Sequence, residues 1–291
     1  MTIRVLPVTP LIGAEIEGAD LVHDAVASHA AISTALIRHQ VVFLRDQPRL
    51  EPAQQIAFAR LFAPLHTHPA APHLPSHPEV FVIHTHRDSK VANGNGWHTD
   101  VSCDVEPPLG TMLQLHQLPP SGGDTLFASA YAAYETLSAH LRRYLEGMTA
   151  HHASEHVYRG RYADRGVDDS GRAYPSADHP VVRTHPDSGR RALYVNRAFT
   201  TRINDLAPRE SQSLLELLFR HIERPEFQCR FRWTENAIAL WDNRCTQHFA
   251  LWDYWPHERR GHRVTICGER PYFDPDVDVA PQPHRLSAGG L

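Results

Sequence analysis

What constrains this chain most is its punctuation. Apolar runs of roughly four to eight residues recur along its length, and turn formers cut each one short. QVVFLRD (40–46), EVFVIHT (79–85) and GTMLQLHQL (110–118) have the β-branched and aromatic content of buried strands, as do FQCRFRW, AIALWD and HRVTIC between 227 and 267. Residues 3–6, 13–18 and WHTDVSC (97–103) read the same way, and PVVRT and RALYV flank a hairpin turn at Asp187-Ser188-Gly189. Helical spacing is confined to 23–39, a segment opened by Glu51-Pro52, 129–148, and 208–224 between Pro208 and Pro225. Many strands among few helices predict a mainly β fold with helices packed outside it. A length of 291 residues would accommodate two domains. No repeat or linker divides it, so one domain over 1–291 is expected. Residues 64–78 hold five prolines and four histidines and should form an irregular loop. The polar, aperiodic stretch 152–180 reads as a lid or insert, and the Pro- and Gly-rich tail from Asp274 as frayed.

A formal net charge of −4 gives no basic footprint, so neither nucleic acid nor an anionic membrane is an expected partner. No run of about 18 apolar residues is present, which excludes a membrane-spanning helix. The opening MTIRVLPVTPLIG lacks the pattern of a secretory signal, and the four cysteines contain no CxxC pair. A cytoplasmic protein with reduced thiols is therefore expected. Histidine is the commonest side-chain metal ligand, but 22 of them make no one position special. Position has to decide.

Three positions stand out. In Trp97-His98-Thr99-Asp100-Val101, strand alternation would put an imidazole and a carboxylate side by side on one face. Such triplets also arise by chance. The run from Leu240 to His248 carries an apolar strand into a polar turn and delivers His248 at its end. Joined to His98 and Asp100 it completes a two-histidine, one-carboxylate set, the facial triad of non-haem Fe(II) oxygenases; a histidine held by a backbone carbonyl is the plainer alternative. In HRVTIC, Arg263, Thr265 and Cys267 share a face. An arginine on the inner face of a strand needs an anion, which could be a ligand carboxylate or a structural partner.

Together with NGNGWHTDV, LPPSGGDTLFAS, RALYVNRAFTTRI and WDNRCTQHFALWDYWPHERRGHRVTICG, these positions resemble the taurine/2-oxoglutarate-dependent dioxygenase (TauD/TfdA-like) family over nearly the whole chain. The resemblance implies a double-stranded β-helix, or jelly roll. It implies His98, Asp100 and His248 as Fe(II) ligands, and Thr125 and Arg263 as the grip on the distal carboxylate of 2-oxoglutarate, with O2 as the other co-reactant. It implies that a sulfonate is held by His68 in LHTHP, by the amide of Val101 and by an arginine at Arg263, with Arg259 a second family arginine close by. Phe199 and Tyr158 match aromatic walls of the pocket. The implied reaction is hydroxylation of a small anionic substrate, a sulfonate or alkyl sulfate, with release of succinate, CO2, an aldehyde and sulfite or sulfate. Family members commonly form dimers or tetramers, which makes a homo-oligomer the expectation.

Two positions depart from the taurine pattern. Ala71 and Gly94 stand where a tyrosine and an asparagine would hold the taurine amine. Small residues there open space and remove polar partners, which favours longer alkyl sulfonates or alkyl sulfates over taurine. Asn93 or Asn95 could restore an amide. A hydroxylase of a small carboxylate or natural-product intermediate would use the same iron site. A zinc hydrolase built on the same three residues leaves Thr125 and Arg263 unexplained, and a non-catalytic metal-binding jelly roll is the structural alternative.

Overall fold

A computed structural model describes residues 2–68, 73–161, 163, 166–169 and 171–277. Along the chain run β1 (Arg4–Pro7), β2 (Ala14–Glu17), α1 (Ala25–His39), β3 (Val41–Leu44), α2 (Pro52–Ala59), β4 (Leu65–His66), β5 (His73–Leu74) and β6 (His77–Thr85). They are followed by β7 (Gly110–Gln117), β8 (Thr125–Ser129), α3 (Ala130–Glu135), α4 (Ala139–Leu145), β9 (Thr149–Ala153), α5 (Glu155–Tyr158) and β10 (Ser176–Pro180). Then come β11 (Val182–Thr184), β12 (Arg191–Leu193), β13 (Thr200–Ile203), α6 (Pro208–Ile222), β14 (Gln228–Phe231), β15 (Ile238–Asp242), β16 (Thr246–Ala250) and β17 (Arg259–Ile266).

The large sheet runs β1-β2-β3-β15-β7-β17-β6-β5, with β4 added on β17. It is antiparallel except for the β2–β3 pair. A smaller antiparallel sheet, β14-β8-β16, faces it. The unbroken apolar runs follow from burial on both faces of the large sheet. On the inner face Phe43, Leu113, Leu115 and Trp241 pack with Phe127 of β8 and Phe231 of β14. On the outer face Val42, Leu44, Met112, Leu240 and Val264 pack under Ile32 and Leu36 of α1 and Ile56 and Phe58 of α2. Phe43 stacks on Phe231 at 4.1 Å and so joins the two sheets directly. Two β-sheets closed over one core make the jelly roll.

Several elements differ from expectation. The single helix over 129–148 is two, because Ser138 Oγ accepts from Leu141 N and starts α4 anew. The ends of the 152–180 segment are strands: β9 and β10 pair, with β13 on the other side of β9. TAHHA and SADHP look polar because, apart from Ala150, their buried positions are His152 and His179. A strand whose inward side chains are imidazoles leaves no apolar alternation to read. The loop over 64–78 is tacked down by β4 and β5, with 69–72 outside the described residues. The tail is fastened past Asp274, whose amide donates to Thr184 Oγ1, and Arg191 donates to Pro275 O. Residues 278–291 lie outside the described residues.

Candidate active site

His98, Asp100 and His248 converge. One ligand atom of each lies within 4.8 Å of the others. His248 rides on β16, after the turn that closes β15, rather than at the end of β15. Its backbone exchanges two hydrogen bonds with His98, of 3.1 and 2.9 Å, and the rings lie 4.1 Å apart. WHTDVSC is not a strand: only His98 pairs, and Asp100 sits on the turn that follows. The carboxylate is therefore aimed by that turn and by Thr111, whose hydroxyl donates to Asp100 Oδ2 at 2.8 Å. Asn243 donates in turn to Thr111, and Trp241 to Asn243. This supporting chain was not visible in the sequence, because Thr111 and Asn243 are about 130 residues apart.

The chemistry of the three donors suits a divalent metal ion. His98 Nδ1 lies 2.8 Å from Gly96 O, which can only accept, so Nδ1 carries the proton and Nε2 keeps its lone pair. That Nε2 is 3.6 Å from Asp100 Oδ1, and His248 Nε2 is 3.8 Å from the same oxygen. Burial, then the nearby His98, holds His248 well below the usual imidazole range and so neutral. Burial would push the Asp100 carboxyl up, but Arg263, His248 and His98 outweigh it and hold it well below the ordinary value. Two imidazoles and one carboxylate leave coordination positions open, the pattern suited to Fe(II). A second trio, His185, Asp242 and Cys245, is equally compact but committed to the fold. His185 Nδ1 accepts two backbone amides, its Nε2 meets Asp242 at 3.0 Å, and Asp242 takes the Arg244 guanidinium.

Arg259 and Arg263 meet different partners. Thr125 does not pair with Arg263. Its hydroxyl accepts from Arg259 at 3.4 Å and from Trp233 Nε1 at 3.0 Å, while Arg259 Nε donates to Gly123 O. Arg259 is buried, and burial lowers its pKa. No carboxylate lies within ion-pair range of it among the described residues. Arg263 instead reaches Asp100 Oδ1 at 3.0 Å and lines the pocket in front of His98 and Asp100.

That pocket is a cavity of about 270 Å³. Phe81, Tyr158 and Phe199 form its aromatic side, and the Tyr158 ring lies 5.4 Å from His68 and 5.8 Å from Phe199. His68 is pushed down to about 3 by burial first and Arg263 next, so it is a neutral donor at ordinary pH. Val101 holds φ at 46°, costly for a β-branched residue, and its N–H makes no hydrogen bond among the described residues. Ser102, next in the chain, accepts from Asn196 Nδ2 at 2.8 Å and meets His152 at 3.0 Å, while Asn196 Oδ1 accepts the Phe199 amide. A buried polar network thus ties the Val101 turn to the Phe199 wall. Gly94 is not merely open space: a Cβ there would meet His98 Cε1 at 3.2 Å, and φ is 77°. Ala71 lies outside the described residues.

The profile of the family described as "Taurine catabolism dioxygenase TauD, TfdA family" matches residues 4–265. The chain belongs to the TauD/TfdA family. Among its relatives, an alpha-ketoglutarate-dependent sulfate ester dioxygenase of Pseudomonas putida is 36% identical over 279 residues, covering 93% of this chain and 91% of that protein. An alkylsulfatase of Acinetobacter baylyi is 34% identical over 269 residues, covering 90% and 84%. The crystal structure of a taurine dioxygenase from Burkholderia xenovorans matches with a TM-score of 0.81 at 36% identity, over 97% of each chain. This TauD/TfdA protein is an oxidoreductase of the alpha-ketoglutarate-dependent dioxygenase type, and that membership brings dependence on 2-oxoglutarate and O2. Among the described residues of this TauD/TfdA protein, no helix is long and apolar enough to cross a membrane.

Proposed function

We propose that this enzyme is an Fe(II)- and 2-oxoglutarate-dependent dioxygenase that hydroxylates a small sulfonate or alkyl sulfate. The observation that carries the reading is the His98, Asp100 and His248 set with the buried Arg263 guanidinium against it, together with a second buried guanidinium, Arg259, that meets Thr125 on a neighbouring strand. His98, Asp100 and His248 would hold Fe(II), which when bound supplies the activation of O2. Arg259 and Thr125 would hold the distal carboxylate of 2-oxoglutarate. A buried cation with no ion-pair partner among the described residues, set beside a hydroxyl, suits a carboxylate. Arg263, neutral His68 and the free N–H of Val101 would grip the substrate anion, and Phe81, Tyr158 and Phe199 would exclude water from its carbon chain.

One oxygen atom of O2 enters succinate as 2-oxoglutarate loses CO2, and the other enters the substrate as hydroxyl. Hydroxylation at the carbon bearing the sulfur group lets the product collapse to an aldehyde, with sulfite leaving from a sulfonate or sulfate from an ester. The sulfate ester dioxygenase and alkylsulfatase names of the relatives support that head group. The reading includes one domain, a lid or insert around 152–180, a cytoplasmic home consistent with four free thiols, and a homo-oligomeric state, dimer or tetramer.

The test is succinate release over a panel of taurine, longer alkyl sulfonates, alkyl sulfates and small carboxylates, with sulfite and sulfate measured alongside. Sulfonate or sulfate ester turnover with stoichiometric sulfite or sulfate supports the reading. Turnover of carboxylates alone moves the enzyme to carboxylate hydroxylation. His98→Ala should abolish both turnover and the visible band that Fe(II) and 2-oxoglutarate form anaerobically.

A further inference from the structure

The described pocket lining carries three guanidiniums, Arg161, Arg197 and Arg263, against one carboxylate, Asp100. Their charges are not equally available. Arg263 is paired with Asp100, and Arg197 is shared by Glu216 and Glu223. Arg161 meets no carboxylate among the described residues. Among the described residues its guanidinium donates from NH2 to Ala92 O, at 2.9 Å. A carbonyl fixes the guanidinium without cancelling its charge, so Arg161 is anchored on the loop that carries Gly94 past His98. Its charge reaches the pocket interior, where it is one of the influences that keep His68 neutral. The substrate grip proposed above uses Arg263 on β17; Arg161 is a second cation, held by a different element.

We propose that Arg161 selects substrates by the charge of their tail. With the anionic head at His68, Val101 and Arg263, a tail ending in a carboxylate or other anion would meet Arg161 and be favoured, and a tail ending in an ammonium would be repelled. The preferred class is then a short sulfonate or sulfate ester with a second anionic terminus. This deepens the proposed function and rests on its assignment of the head group.

The experiment uses the Fe(II)-loaded enzyme with 2-oxoglutarate and three substrates that share a head and differ in tail: 3-sulfopropanoate, propane-1-sulfonate and 3-aminopropane-1-sulfonate, with the matching sulfate esters in parallel. The expected order of kcat/KM is carboxylate over neutral over ammonium, each step about fivefold to tenfold for a partly solvated charge contact. Arg161→Gln should compress the three to within about twofold of one another, and Arg161→Lys should keep the order. Wild-type enzyme that uses the ammonium substrate as well as the carboxylate overturns the inference without any variant. An unchanged order in Arg161→Gln overturns it too. If no sulfonate or sulfate ester raises succinate above the substrate-free rate, the head-group reading falls and takes this inference with it.

Discussion

Arg259 and Arg263 are four residues apart on one strand, roughly 13 Å along an extended chain, and they meet different partners. The structure gives Thr125 to Arg259 and Asp100 to Arg263. Exchanging Arg259 for Gln should weaken 2-oxoglutarate about 10- to 100-fold, the scale of a lost charged hydrogen-bond pair. An anaerobic titration of the Fe(II)–2-oxoglutarate band would read this directly. Arg263→Gln should leave that titration within about threefold and raise KM for the anionic substrate instead. The opposite pattern would return the cosubstrate to Arg263. Alternation along β17 puts both arginines on the inner face, so the local pattern alone could not assign them. What separates them is the partner that each meets from another strand.

At the level of elements, the apolar runs were legible because β3, β7 and β15 are buried on both faces, so every residue in them had to be hydrophobic or paired. Phe43 is fully buried and bridges the sheets through Phe231. Phe43→Ala should cost about 3–5 kcal/mol in chemical denaturation, the usual range for a large cavity in a core. Val5→Ala on the exposed β1 should stay within about 0.5 kcal/mol. Equal losses at the two positions would contradict the two-layer core. β9 and β10 were hidden for the opposite reason: two of their three buried positions are His152 and His179, whose hydrogen bonds to Ser102 and Asp104 O exist only in the folded chain. The HxD segment was misread as a strand because one isolated bridge, His98 to His248, does for the site what a ladder would have done.

Over the whole molecule, five histidines among the described residues are buried: His152, His179, His185, His248 and His262. Burial holds His262 down to about 4 and His68 to about 3, and His152 is lowered as well. A histidine whose folded pKa lies below its unfolded 6.5 resists protonation only when folded. The unfolded chain then binds more protons as the pH falls. This contribution is complete above about pH 6.5, is lost from there down to about 4 for His262, and continues downward for His68. Thermal midpoints should therefore fall steadily over that interval, and His262→Gln should flatten part of the fall. A midpoint constant from pH 7 to 4 would show that these imidazoles are not buried neutral. The same globular packing separates the two compact trios. One is locked by backbone amides and Arg244, whereas the other keeps two imidazole nitrogens and a carboxylate oxygen turned toward a common centre.

The amino-acid order alone was enough for the buried strands, the candidate set His98, Asp100 and His248 and the family, because each is written in local runs and short motifs. The division of labour between the two arginines, the chain from Trp241 to Asp100 that aims the carboxylate, the histidine-lined strands and the position of Arg161 belong to the folded molecule. Each depends on which distant side chain supplies a hydrogen bond or leaves a charge uncancelled, and no spacing along the chain encodes that.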